Sequence, residues 1–114
     1  MRGTAPHWIL AGLLAMSMTP APQAFGQDSL TPEKRGAALL TTNCARCHAT
    51  GRTGASPHSA APPFRTLSRK YPIEGLAEAL AQGLSVGHPD MPEFVFEPSD
   101  VGAILAYLKS IQDR

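Results

Sequence analysis

Apolar residues recur at helical spacing near the end of the chain. The positions that form this stripe are Val101, Ile104, Leu105, Leu108 and Ile111. Separations of three, four, seven and ten residues place them on one face of an α-helix. This helix should begin near residues 98–100, with Ser99 as its cap and Asp100 at its positive end.

A second helical stripe precedes residue 45. Thr31 offers a capping hydroxyl, and Pro32 suits the first helical position. Gly36, Leu40 and Cys44 follow at intervals of four, which places them on one face. Because glycine inside a helix costs about 1 kcal/mol relative to alanine, Gly36 predicts a close crossing with the C-terminal helix. The alternative is a locally weak helix.

The segment between these helices contains a long loop and one shorter helix. Residues 49–63 are rich in glycine and proline and predict the loop. Residues 73–82 predict a helix whose buried face carries Ile73, Leu76, Ala77 and Leu80, and which ends at Gly83. Apart from a short apolar run at 94–96 there is no useful strand pattern, so the prediction is an all-α fold.

The strongest chemical signal is the sequence Cys44-Ala45-Arg46-Cys47-His48, which reads C-x-x-C-H. This is the attachment pattern of a c-type haem. Two intervening residues allow both thiols to reach the two haem vinyl groups, and His48 can then bind the iron as an axial ligand. The chain has no other cysteine.

Two other interpretations of the paired cysteines are weaker. A redox-active C-x-x-C usually accompanies a thioredoxin-like βαβ pattern, which this chain lacks. A zinc site would need further cysteine or histidine ligands at suitable spacing, and His58 and His88 are too scattered to provide them. His58 is better interpreted as a surface histidine than as a ligand.

A second candidate ligand lies at Met91, between Pro89 and Pro92. The prolines stiffen the backbone around the thioether, which suits the sixth position of a low-spin haem iron. A methionine that fills a gap in the core is the ordinary alternative. His88, three residues earlier, is the rival ligand.

The first 26 residues have the pattern of a signal peptide. A positive charge at Arg2 precedes a short apolar stretch at residues 8–16, and small residues at 24 and 26 predict cleavage after Gly26. The remaining residues 27–114 would form one domain in the periplasm, where bacterial c-haems are attached. An uncleaved membrane anchor is the alternative.

Charge is unevenly distributed along the exported part. Residues 27–70 contain seven basic and two acidic side chains, whereas residues 71–114 contain two basic and seven acidic ones. This asymmetry either orients a partner or reflects two solvated faces. Arg52 and Arg65 flank the loop and either pair with haem propionates or are simply solvated. No basic run or aromatic platform indicates nucleic-acid binding.

Over residues 30–112 these features together resemble the class I c-type cytochromes. Gly36 and Leu40 stand eight and four positions before the first cysteine, as in that family, and Tyr107 fits the aromatic of its C-terminal helix. Met91-Pro92 matches the family's Met-Pro pair. The family also offers a proline carbonyl to the axial histidine, which implies Pro62, with Pro63 as the alternative.

The resemblance implies a small cytochrome c fold with three to four helices wrapped around one covalently bound haem. Cys44, Cys47, His48, Met91 and Pro62 would bind the cofactor, with His48 and Met91 on the iron. The expected function is one-electron transfer, without enzymatic activity, between redox partners such as a dehydrogenase or a membrane oxidase. A monomer is expected. The rival functions are a haem enzyme or gas sensor, and a haem subunit of a dehydrogenase complex.

Overall fold

A computed structural model of the chain describes residues 3–4, 30–83 and 89–114. These contain three α-helices, α1 (Pro32–Asn43), α2 (Leu76–Gln82) and α3 (Pro98–Ile111). Two 3₁₀ helices, Phe64–Arg69 and Ile73–Gly75, lie between α1 and α2. The described residues contain no strand, which confirms the all-α prediction. The predicted signal peptide lies outside the described residues except for residues 3–4.

The N-termini of α1 and α3 are capped in different ways. At α1 the prediction is confirmed, because the Thr31 hydroxyl accepts a hydrogen bond from the Lys34 backbone N–H at 3.3 Å. At α3 the prediction that Ser99 caps the helix is wrong. The capping position is Glu97, without a side-chain hydrogen bond, because Pro98 takes the first helical position that its fixed φ favours.

The predicted helix over 73–82 is divided into two parts. Ile73–Gly75 forms a 3₁₀ turn, and α2 continues from Leu76 to Gln82. Gly83 ends α2 in the left-handed conformation, with φ of 70°, as predicted. Only Ile73 of the predicted apolar face is buried, while Leu76 and Leu80 are half-buried against the core.

The apolar run at 94–96 does not form a strand. Phe94 and Phe96 are half-buried with their rings stacked at 6.0 Å, whereas the side chain of Val95 is 72% exposed. The Phe96 backbone N–H donates to the Leu80 carbonyl at 2.9 Å, so the run packs along α2 as irregular chain.

The core forms where α1 crosses α3. Leu40 of α1 and Ile104 of α3 are fully buried at this crossing, and Gly36 is buried beside the backbone of Ala103. Around them pack the remaining buried apolar side chains of the cluster, Phe64, Leu67, Ile73, Leu108 and Ile111. The crossing predicted from Gly36 and the C-terminal stripe is therefore confirmed.

Replacing Gly36 with alanine is expected to destabilise the fold by about 1–3 kcal/mol or more, because overpacking forces helices apart. A Cβ atom here would overlap the Ala103 carbonyl oxygen and lie 2.9 Å from the Tyr107 Cβ. Gly102→Ala is the matched control, since a Cβ at that helical position meets no atom within 4 Å. The free energy of unfolding should rise by up to about 1 kcal/mol in the control. Equal behaviour of the two variants in denaturant titrations would contradict the close crossing.

Several ion pairs join the basic and acidic halves of the sequence. Arg35 on α1 pairs with Asp100 on α3, with its Nε donating at 2.8 Å. Arg65 and Arg69 both lie within 4.0 Å of Asp113. The unequal distribution of charge along the sequence is therefore partly neutralised in space at these positions.

Candidate cofactor site

The C-x-x-C-H motif occupies the turn that ends α1. Cys44 is the C-terminal capping residue, and its backbone N–H donates to the Leu40 carbonyl at 2.8 Å. The backbone N–H groups of Cys47 and His48 both donate to the Cys44 carbonyl, at 3.1 and 2.9 Å. One tight turn thus holds the three side chains, and the buried Leu40 anchors that turn to the core.

Cys44 and Cys47 are both half-buried, and no disulfide joins them. Burial, together with the neighbouring Cys47 thiol, raises the pKa of Cys44 to about 11. The raised pKa distinguishes Cys44 from the low-pKa thiolates of redox-active cysteine pairs. The described residues also contain no cluster of three or more histidine, cysteine or acidic side chains suited to a metal ion.

The imidazole of His48 is held by the segment that follows the loop. Its Nδ1 lies 2.8 Å from the Pro62 carbonyl oxygen, so Nδ1–H donates and Nε2 is the nitrogen left for a ligand bond. Pro62 rather than Pro63 makes this contact; the Pro63 carbonyl accepts from Thr66. The Phe64 ring stacks on the imidazole with centroids 4.5 Å apart and an interplanar angle of 28°.

A cavity of about 560 Å³ lies beside the motif. Cys44, Cys47, His48 and Pro62 line one part of it, and Met91 lines another. The remaining described lining residues are Asn43, Arg46, His58, Ala60, Ala61, Pro89, Asp90, Pro92 and Phe94. Its volume falls within the roughly 300–1,000 Å³ usual for cofactor sites.

The donor set of this cavity fits a c-type haem. It provides two thiols for the vinyl groups, an imidazole whose free nitrogen is Nε2, and a thioether on a proline-bracketed segment. Most of the other lining side chains are apolar, as a flat hydrophobic macrocycle requires. The rival ligand His88 lies outside the described residues.

The loop over 49–63 is tied to the motif at several points. Its Ala49 N–H donates to the Ser56 hydroxyl at 3.0 Å, and the His58 N–H donates to the Cys47 carbonyl at 3.1 Å. The His58 Nε2 lies 3.7 Å from the Asp90 carboxylate, next to Met91. His58 is therefore a cavity-lining residue that links the loop to the Met91 segment, which the sequence did not indicate.

The arginine near the motif that lines the cavity is not one of the two that flank the loop. Arg65 donates to the Gly54 carbonyl at 2.8 Å, and neither Arg65 nor Arg52 lines the cavity. Arg46, which stands between the two cysteines, lines it instead. Its position inside the motif was no sufficient signal, because Ala45 belongs to the same turn and does not line the cavity.

Tyr107 fastens the loop to α3, since its hydroxyl donates to the Thr50 carbonyl at 2.8 Å. We expect Tyr107→Phe to lower the free energy of unfolding by about 0.5–1.5 kcal/mol, the usual value of one hydrogen bond. Tyr71, which is 50% exposed, provides the control variant Tyr71→Phe, expected to change stability by less than about 0.5 kcal/mol. A denaturant titration in which the two variants lose equal stability would contradict this role.

Taken with the cavity, the helical fold has the features of a small haem protein. The family model for cytochrome c matches residues 33–112, so the chain belongs to the cytochrome c family. The match is consistent with the class I c-type cytochromes. The protein is accordingly an electron-transfer haem protein. No curated protein and no solved structure matches the chain.

Proposed function

We propose that the protein is a periplasmic monohaem cytochrome c that carries one electron at a time between redox partners. One observation carries this proposal: the two thiols, His48 and Met91 line a single cavity of cofactor size. Cys44 and Cys47 would hold the haem covalently, and His48 and Met91 would ligate its iron.

The bound haem supplies an iron centre that alternates between the ferric and ferrous states. The chain's contribution is to fix the ligands and to exclude water. His48 is oriented by donation from Nδ1 to Pro62. Met91 would supply a thioether ligand, which favours the ferrous state and so would raise the reduction potential. Proline and alanine side chains give part of the cavity wall an apolar surface that would pack against the macrocycle.

A carrier without enzymatic activity follows from this ligand set. With both the His48 imidazole and the Met91 thioether bound to the iron, no ligand position would remain for a substrate. The partners would be a protein donor and a protein acceptor of electrons, such as a dehydrogenase and a membrane oxidase, and the protein would act as a monomer.

Export to the periplasm is supported by the first 26 residues, whose charged, apolar and small-residue regions follow the order of a signal peptide. In the described part of the chain, no helix has the length and apolarity needed to cross a membrane. Mass spectrometry of the protein from a periplasmic fraction should give the mass of residues 27–114 plus one haem. A chain that retains its leader would favour an anchored protein.

Absorption spectroscopy of the purified protein in both oxidation states tests the ligation. We expect a six-coordinate, low-spin haem when oxidised and when reduced, and haem staining that survives denaturing electrophoresis. A five-coordinate, high-spin spectrum would overturn the carrier and favour a haem enzyme or gas sensor, because an open iron position binds substrate or gas.

A further inference from the structure

The segment Pro62-Pro63-Phe64 holds the His48 ring by two separate contacts. The Pro62 carbonyl accepts a hydrogen bond from Nδ1 at 2.8 Å, which fixes one edge of the imidazole. The Phe64 ring stacks against its face at 4.5 Å, which fixes the plane of the ring. Together these contacts leave little rotation about the bond between Cβ and the imidazole. We call Pro62, Phe64 and their contacts to His48 the histidine clamp.

Hydrogen bonds from Gln112, which follows α3, hold the clamp in place. The Gln112 side-chain NH₂ donates to the carbonyl oxygens of Phe64 and Leu108, both at 2.8 Å. Its side-chain oxygen accepts from the Ser68 backbone N–H, also at 2.8 Å. Two carbonyl partners and one N–H partner require both halves of a carboxamide. Of the neutral side chains, only asparagine and glutamine offer this combination.

Movement at Phe64 should pass directly to the Pro62 carbonyl. Two prolines precede Phe64, and their rings fix φ, so the segment between the two contacts is stiff. On its other side, the Phe64 N–H donates to the Ala49 carbonyl at 3.0 Å, and the Phe64 side chain is only 8% exposed. The Phe64 carbonyl is held by Gln112, the C-terminal capping residue of α3, so the clamp is attached to α3 at this point.

We propose that Gln112 is a positioning residue for the axial histidine and acts on the iron through the histidine clamp. This inference rests on the proposed function, because it takes His48 as an iron ligand. Groups that hydrogen-bond the outer nitrogen of a ligating histidine fix its orientation and increase its basicity. A strong bond from Nδ1–H to Pro62 therefore stabilises ferric iron, and a loosened clamp raises the reduction potential.

The experiment compares three uncharged replacements in the complete haem-loaded protein. Gln112→Met keeps the length of the side chain and removes all three hydrogen bonds, and Phe64→Leu removes the stacked ring. Val101→Ala is the control, since Val101 is buried on the same α3 but lies outside the cluster that contains Phe64. Each variant is measured for thermal stability, reduction potential and the low-spin ferric electron paramagnetic resonance spectrum, which reports the ligand-plane orientation.

We expect Gln112→Met and Phe64→Leu to change the resonance spectrum and to raise the potential, whereas Val101→Ala changes stability alone. At a fixed ambient potential, the ratio of reduced to oxidised protein should rise roughly two- to ten-fold. This corresponds to a rise in reduction potential of about 20–60 mV, at about 59 mV per ten-fold for one electron. If Gln112→Met loses stability but keeps the wild-type spectrum and potential, Gln112 is only a structural residue, whatever the effect of Phe64→Leu. A wild-type protein without low-spin histidine ligation would overturn the proposed function itself, and the clamp with it.

Discussion

Replacing both Cys44 and Cys47 with alanine is expected to abolish covalent haem attachment and to leave a poorly folded chain. Both thiols line the cavity at the end of α1. The buried core of the described residues is small, so the fold should depend on the cofactor as a staple. Haem staining after denaturing electrophoresis and far-ultraviolet circular dichroism measure the two consequences separately.

Ala45→Ser is the matched control for this experiment, because Ala45 belongs to the same turn and does not line the cavity. This variant should retain stained haem and the helical spectrum of the wild type. Each single cysteine variant should attach haem by one bond at most and give a lower yield of folded protein. Haem that remains bound to the double variant after denaturation would rule out the thioether assignment.

The helical framework was predictable because its signals are local or periodic. The apolar stripe of α3 marks the buried face directly, and Gly36 reveals a close approach because any side chain there would meet the Ala103 backbone. The attachment motif is readable for a similar reason. The spacing of the haem vinyl groups constrains residues that are neighbours in the sequence, so one turn carries the whole pattern.

The features of the fold and site that the sequence does not predict depend mostly on contacts between segments distant in the chain. The 3₁₀ helix Phe64–Arg69 has no periodic pattern, and Gln112, 48 residues away from Phe64, provides hydrogen bonds to it. The stacking of Phe64 on His48 arises only once the loop has returned to the motif. The capping of α3 was misplaced by two residues, because the preference of Pro98 for the first position outweighed the capping hydroxyl of Ser99.

The segment that carries Met91 is positioned by tertiary contacts rather than by secondary structure. Pro89 and Pro92 bracket it, and the neighbouring Asp90 carboxylate lies 3.7 Å from the His58 Nε2. His58 in turn is tied by its backbone N–H to the Cys47 carbonyl. The Met91 thioether and the attachment turn therefore line the same cavity.

Met91→Ala is expected to lower the reduction potential and to open the iron to small ligands. A thioether favours ferrous iron, so its loss should lower the potential by on the order of 100 mV, within the roughly 0.8 V that axial ligation spans. The sixth position would be taken by water or His88, or would stay open. Carbon monoxide should then bind the reduced variant and cyanide the oxidised one, and the carrier would gain weak peroxidase activity.

Potentiometry, absorption spectroscopy and carbon monoxide titration of wild type and variant measure these effects. Val95→Ala is the matched control, since Val95 lies in the same segment, is 72% exposed and does not line the cavity. It should keep the wild-type spectrum and potential. If Met91→Ala also keeps them, Met91 is not the iron ligand and His88 becomes the leading candidate, because it is the nearest alternative donor in the sequence.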